Sequence, residues 1–289
     1  MIKNQSRSLI NKILVISVFI IYLLGSVPLI LVDIYNKRKY AFILLAIFMG
    51  LWAMLYYPFG DQYRYFNDFE RYFYLDFNEA FLFNIASEFS LYTINLIDYF
   101  LFEYSKAGLH FEGFRFLLVF IAYLLTFHVH WNIDSEYFLS KKESFYLFIV
   151  LFLLVPFFWI CFGFRTGFGT CLVMYGVYWL FYRNKKCGWL AIVLACLVHF
   201  MFLLIAIILL FSVKKRFARF SLIRISFYVI LGYIAFLFLL KLDFPFFQLI
   251  VDSYVYGDYG REYHWTSLTI GLFLLHTFPC LILLYAFFV

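Results

Sequence analysis

Charge is scarce in this 289-residue sequence: 14% of the residues are Asp, Glu, Lys or Arg, against about 25% in a soluble domain. Hydrophobic residues make up 66%, aromatic ones 26%, and the mean hydropathy is +0.90. Polar surface is too small to cover a globule in water, which excludes a cytosolic enzyme, and the same numbers exclude disorder. Cysteine is poor in pattern. The five residues Cys161, Cys171, Cys187, Cys196 and Cys280 are odd in total and hold no CxxC pair, so neither a disulfide framework nor a Cys-based metal site is expected. Four of them lie in or beside apolar runs, where Cys behaves as a small hydrophobe. A Gly-rich P-loop, an HExxH helix and a GxSxG elbow with a plausible triad are missing as well. His128 and His130 are two apart, a spacing that does not converge on one point of a helix, and are read as interfacial. No metal and no other cofactor is expected.

What the sequence has instead is long apolar runs, at 13–34, 40–57, 111–131, 144–164, 166–182, 188–213, 221–242 and 266–289. At about 20 residues per span, the chain can cross a bilayer roughly six to eight times. The expected fold is all-α and polytopic, a single transmembrane domain over 1–289 with roughly seven to nine apolar helical segments. The opening run is too long for a cleaved signal peptide, and no A-x-A-like site follows it. Neither an internal repeat nor a low-complexity tract is evident.

Charge orients this map. Segments 58–110 and 243–265 hold 12 of the 17 acidic residues but 4 of the 23 Lys and Arg. The short segments 37–39, 141–142, 183–186 and 214–224 hold most of the bases. The positive-inside rule places these in the cytoplasm and the two acidic segments outside; Lys3, Arg7 and Lys12 then fall outside, against the rule. The net charge of +6 is met by these loops and needs no nucleic acid. Within the large outer loop, residues 79–104 carry Asn84, Glu88, Asn95 and Asp98, which argues for amphipathic helices on the outer interface rather than a span. Run 188–213 has basic clusters on both sides. It reads either as one span or as a re-entrant hairpin broken near His199, with arms of about 12 residues or roughly 18 Å.

Chemistry-bearing residues gather in a few places. Pro58-Phe59-Gly60-Asp61-Gln62-Tyr63-Arg64-Tyr65 packs charge among aromatics, and six tyrosines fall between 56 and 74. Rings beside carboxylates suit a carbohydrate, while an interfacial aromatic belt is the plainer reading. Arg165 stands in Phe162-Gly163-Phe164-Arg165-Thr166-Gly167-Phe168-Gly169, at the outer junction of two apolar runs. A charge at membrane depth is a functional hypothesis by default, and a guanidinium fork matches phosphate oxygens. The glycines beside it would let a ligand approach the backbone; the alternative is a snorkelling Arg. His199, in Leu197-Val198-His199-Phe200, needs a hydrogen-bond partner in protein, water or ligand. Arg261-Glu262-Tyr263-His264, in the second outer segment, offers an anion-binding Arg and an acid/base pair.

In this order, these residues resemble the bacterial EpsG/Wzy-type polysaccharide polymerases. The likeness rests on Gly60-Asp61-Gln62-Tyr63-Arg64-Tyr65 after the second run, Arg165-Thr166-Gly167-Phe168-Gly169 opening a later one, the basic turn Arg183-Asn184-Lys185-Lys186, and Ala195-Cys196-Leu197-Val198-His199-Phe200. It departs at Thr166-Gly167-Phe168, where many relatives have a longer small-apolar continuation. The resemblance implies a multi-pass glycosyltransferase of the bacterial cytoplasmic membrane. Such an enzyme joins undecaprenyl-pyrophosphate-linked oligosaccharide units into a surface polysaccharide at the outer face. It implies a lipid-linked oligosaccharide as donor and acceptor, with a chain-length regulator and a flippase as partners. Arg165, then Arg64 and Arg261, would stabilise the pyrophosphate leaving group. His199, Asp61 and Glu262 are candidates for the base, Tyr63 and Tyr65 would position sugar, and His264 would line the substrate site. Two alternatives stay open. One is an O-antigen ligase or other lipid-phosphate-dependent glycosyltransferase; the other is a transporter or flippase, although the repeated halves usual in transporters are not evident.

Overall fold

Every regular element in the computed structural model is helical among the described residues, which are 2–58, 61–80, 96–199, 202, 203, 205, 206 and 209. The chain is all-α. It divides into two compact units, Met1–Ile208 and Leu209–Val289. The apolar runs 221–242 and 266–289 and the acidic segment 243–265 lie outside the described residues. In chain order the helices are α1 (Ile2–Ile21), α2 (Leu23–Tyr35), α3 (Lys39–Met54), α4 (Asp61–Tyr72), α5 (Leu96–Lys106), α6 (Phe111–Tyr137), α7 (Lys141–Leu154), α8 (Phe157–Phe162), α9 (Phe164–Val177) and α10 (Gly188–Val198). Helix α9 continues through a π-turn, Tyr178–Tyr182.

Three of the apolar runs are broken. Run 13–34 breaks at Tyr22 (φ −141°, ψ 84°). Run 144–164 breaks at Val155 (φ −117°, ψ 73°), because Pro156 offers no N–H and pushes the residue before it out of the helical region. Run 188–213 breaks at His199 (φ −152°, ψ 121°) after an 11-residue helix, at the residue where a hairpin was one of the two readings. Hydropathy does not register these breaks, because the residues around them are as apolar as the helices they separate. Helix α6, with 27 residues, is the one described helix long and apolar enough to cross a membrane by length and composition. Shorter apolar helices, Lys12–Ile21, Leu23–Tyr35, Lys39–Met54 and Gly188–Val198, accompany it.

Helices α3 and α6 run antiparallel. Arg115, near the start of α6, donates to the Ala53 carbonyl near the end of α3. Toward the other end, the Phe42 ring packs 5.4 Å from Phe127 and 4.8 Å from His130. Helices α9 and α10 meet backbone to backbone. A Cβ on Gly176 would stand 2.8 Å from the Gly188 carbonyl oxygen, and one on Gly188 would stand 2.5 Å from that of Gly176. Small residues at such a crossing let apolar helices associate through close packing.

The basic turns collect at one end. Lys37 pairs with Asp134 at 2.7 Å, and Lys141 donates to Asn36 Oδ1 at 2.8 Å. Arg183 reaches Glu136 at 3.6 Å and the Tyr178 hydroxyl at 2.8 Å. His130, read as interfacial, is buried, with Nε2 2.9 Å from the Ser144 carbonyl oxygen. His128 rests instead against Tyr175, so the two do not share a ligand.

At this end α7 opens with a capping box. The Ser140 hydroxyl accepts from the Glu143 N–H, and the Glu143 carboxylate accepts from the Ser140 N–H at 2.7 Å. Those bonds from Ser140 hold the Glu143 carboxyl below its ordinary value. A depressed carboxyl contributes stability that is complete above the ordinary Glu value and is lost as pH falls through the folded one. Thermal melts of the purified protein between pH 6 and about pH 3 are therefore expected to fall more steeply for wild type than for Glu143→Gln. Ser140→Ala is expected to cost about 1 kcal/mol at neutral pH.

Candidate functional site at the Arg165 end of the bundle

The opposite end of the bundle holds the candidates within the described residues. Helix α4 is amphipathic. Tyr65 and Tyr72 are buried, while Tyr63, Asn67, Glu70 and Arg71 face outward. Its inner face meets the start of α6, where Phe66 and Phe69 pack 5.5 and 5.6 Å from Phe111. It also meets α5, where Tyr72 lies edge-on to Phe102 at 5.6 Å and Ser105 donates to the Phe69 carbonyl at 2.8 Å. Burial, helped by the charges of Asp98 and Asp68, raises the Tyr72 phenol above its ordinary value. Asp98, expected on an interfacial helix, is buried in α5.

The same helix docks on the segment that carries Arg165. Gln62 donates to the Cys161 carbonyl, and the Tyr65 ring sits 5.7 Å from Phe164. The two motifs singled out in the sequence, 99 residues apart at Gln62 and Cys161, are therefore in direct contact. Phe202 packs over Gly169, and the His199 ring is edge-on to Phe202 at 6.1 Å. Tyr65, Phe164, Val198 and Phe202 belong to one buried apolar cluster. Arg64, Arg165 and His199 are each the sequence neighbour of a member of that cluster, so their backbones stand at the same end of the bundle.

Individual residues then take their places. Asp61 opens α4. Arg64 lies over the Tyr65 ring at 4.8 Å, with Nε 4.0 Å from Asp68. Tyr63 is 50% exposed and Tyr65 is 0% exposed. Tyr65 is thus an anchor for α4 with no open face for a sugar, whereas Tyr63 keeps one. Arg165 is the second residue of α9, whose first turn contains no acid. A cation there opposes the helix dipole, a conflict of about 0.3–1 kcal/mol at exposed positions, and an anion bound beside it would reverse the sign. The glycines behind Arg165 do not wait for a ligand: a Cβ on Gly167 would strike the Trp159 and Ile160 backbone, and one on Gly169 the Phe202 ring. They admit protein. Arg261, Glu262 and His264 lie outside the described residues.

Two residues of this end were missed. Arg115 is 1% exposed and Gln62 is 0% exposed. Both lie against Cys161. The rule that drew attention to Arg165, a charge within an apolar run, applies equally to Arg115. Gln62 had no such signal, since a neutral amide in a polar segment looks solvated. Among the described residues no group of three His, Cys, Asp or Glu side chains is placed to hold a metal ion. No protein-family model, curated protein or solved structure matches this chain.

Proposed function

We propose that this chain is a polytopic enzyme of the bacterial cytoplasmic membrane that polymerises polyprenyl-pyrophosphate-linked oligosaccharide units at the outer face. The observation that carries the reading is the shared cluster of Tyr65, Phe164, Val198 and Phe202, which gathers Arg64, Arg165 and His199 at one end of the bundle. The three basic turns lie together at the other end, as expected of cytoplasmic loops. Apolar surface supports the membrane setting. Half of the most apolar window of α6 is buried, leaving Leu117 and Ile121 facing outward one turn apart. Leu190, Val193 and Leu197 form an exposed stripe on α10, whose other face is apolar and buried. A helix apolar all round is stable in contact with lipid.

The acceptor hydroxyl oxygen attacks C1 of the donor sugar, and the bond from C1 to the pyrophosphate oxygen breaks. The electron pair leaves with the pyrophosphate, and His199 takes the hydroxyl proton, with Asp61 as the second candidate. Arg165 and Arg64 meet the negative charge that develops, and the open face of Tyr63 stacks on sugar. A gel of surface glycans with and without this gene tests the reading. The ladder is expected to collapse to a single repeat. Loss of all repeat-unit glycan would favour ligation or export, and an unchanged ladder would overturn the proposal.

A further inference from the structure

We propose that Arg115 is the fixed cation of an oxyanion-binding site at the Ala53–Phe164 end of the bundle, closed in this structure by Gln62. The other ion pairs of the described residues show how this fold treats a permanent charge. Lys37 has Asp134, Arg38 has Asp33, Arg183 has Glu136, and Arg64 and Arg71 share Asp68. Arg115 is buried more deeply than any of them and makes no ion pair with a carboxylate among the described residues; Glu112, three residues earlier, is exposed and acts on it only as a nearby charge. One guanidinium nitrogen donates to the Ala53 carbonyl, the Cys161 side chain lies beside the group, and Nε has no partner. Gln62 meets the same cysteine. Its amide nitrogen donates to the Cys161 carbonyl and lies 3.5 Å from Sγ, while Oε1 has no partner.

Replacing even a buried ion pair by well-packed apolar side chains is often neutral or stabilising, so packing does not by itself account for a buried guanidinium. A cation kept without a counter-charge is one whose counter-charge arrives. The planar fork selects phosphate-class oxygens. Gln62 is the right neighbour for such a ligand, because a neutral amide leaves the positive charge uncancelled and can itself donate to the anion. Gln62 sits in the first turn of α4 and meets the same Cys161 as Arg115, so entry to the proposed site is from the α4 side. The choice of a lipid-linked ligand rests on the function proposed above; the oxyanion class does not.

The test uses full-length protein in nanodiscs of neutral phosphatidylcholine, titrated with farnesyl pyrophosphate, inorganic pyrophosphate or farnesol, with thermal stability as the readout. Saturable stabilisation by farnesyl pyrophosphate and none by farnesol is expected. Equal response to inorganic pyrophosphate would keep the site and make the free anion its ligand. Arg115→Met is expected to weaken binding about tenfold or more. Gln62→Glu supplies the missing carboxylate internally, so it should raise the melting temperature of the unliganded protein and weaken binding by a similar factor. Should Arg115→Met fail to fold, Gln62→Glu carries the test alone. Two results would overturn the site. One is a wild type that binds neither pyrophosphate, as a guanidinium bridged to Gln62 by a buried water would; the other is a Gln62→Glu variant that binds as wild type. A glycan ladder lost on gene deletion but restored by Arg115→Met would sink the site and leave the polymerase reading. Arg115-dependent binding with glycans indifferent to deletion would do the reverse.

Discussion

Gly167→Ala is expected to be among the most damaging single-methyl additions in the chain. Alanine is the better helix former by about 1 kcal/mol, so on propensity the variant should gain. Space decides otherwise. The added Cβ would meet the Trp159 carbonyl oxygen and the Cα and N of Ile160. All three are backbone atoms of α8, held between the Val155–Pro156 break and Gly163, so no side-chain rotation relieves the clash. Overpacking against fixed atoms costs about 1–3 kcal/mol or more, and here the displaced α8 also carries Cys161, the acceptor of the Gln62 bond. Gly169→Ala is the control. Its Cβ would meet first the Phe202 ring, a side chain and not backbone, so a smaller cost, about 1 kcal/mol at the low end of overpacking, is expected. Melting of the two purified variants checks the order: Gly167→Ala far below wild type, Gly169→Ala close to it. Equal melting temperatures would mean that α8 and α9 are not in backbone contact.

That pair also shows what the sequence made legible. Low charge and long apolar runs point to helices, as the described residues show, because hydropathy reports on the solvent of a segment. The separation of acidic from basic segments anticipated two chemically distinct ends, since charge patterning survives folding. Positions of breaks were less accessible. Pro156 announces one, but Tyr22 and His199 end helices without a proline and amid apolar neighbours. The roles of Gly167 and Gly169 were read with the wrong partner, a ligand in place of α8 and Phe202. A glycine records that something comes close and is silent about what. The resemblance gives Tyr63 and Tyr65 the same sugar-positioning role, yet the amphipathic turn of α4 faces Tyr65 inward while Tyr63 faces out. Arg115 stood in plain view inside an apolar run. Its importance rests on the lack of a carboxylate partner among the described residues, which only the packing reveals.

Arg165→Ala, at normal abundance, is expected to abolish polymer while single-repeat glycan persists. Loss of one preorganised donor to developing negative charge costs about 100- to 1,000-fold in rate, enough to reduce a ladder to its first rung. Arg165→Lys keeps the charge and loses the fork, so short chains at reduced amount are expected. A stability defect could imitate the alanine result, and Arg165→Glu separates the two. A carboxylate in the first turn of α9 is favoured by the helix dipole where the native guanidinium is opposed by it. On the dipole alone the start of the helix is no weaker for the change. The reaction, in contrast, would place a negative charge against a pyrophosphate that becomes more negative as it leaves. Abundance and melting comparable to wild type, together with no polymer, is therefore the expected combination for Arg165→Glu. Polymer of ordinary length from either Arg165→Ala or Arg165→Glu would remove Arg165 from the reaction and leave it as a residue that anchors the helix start at the membrane surface.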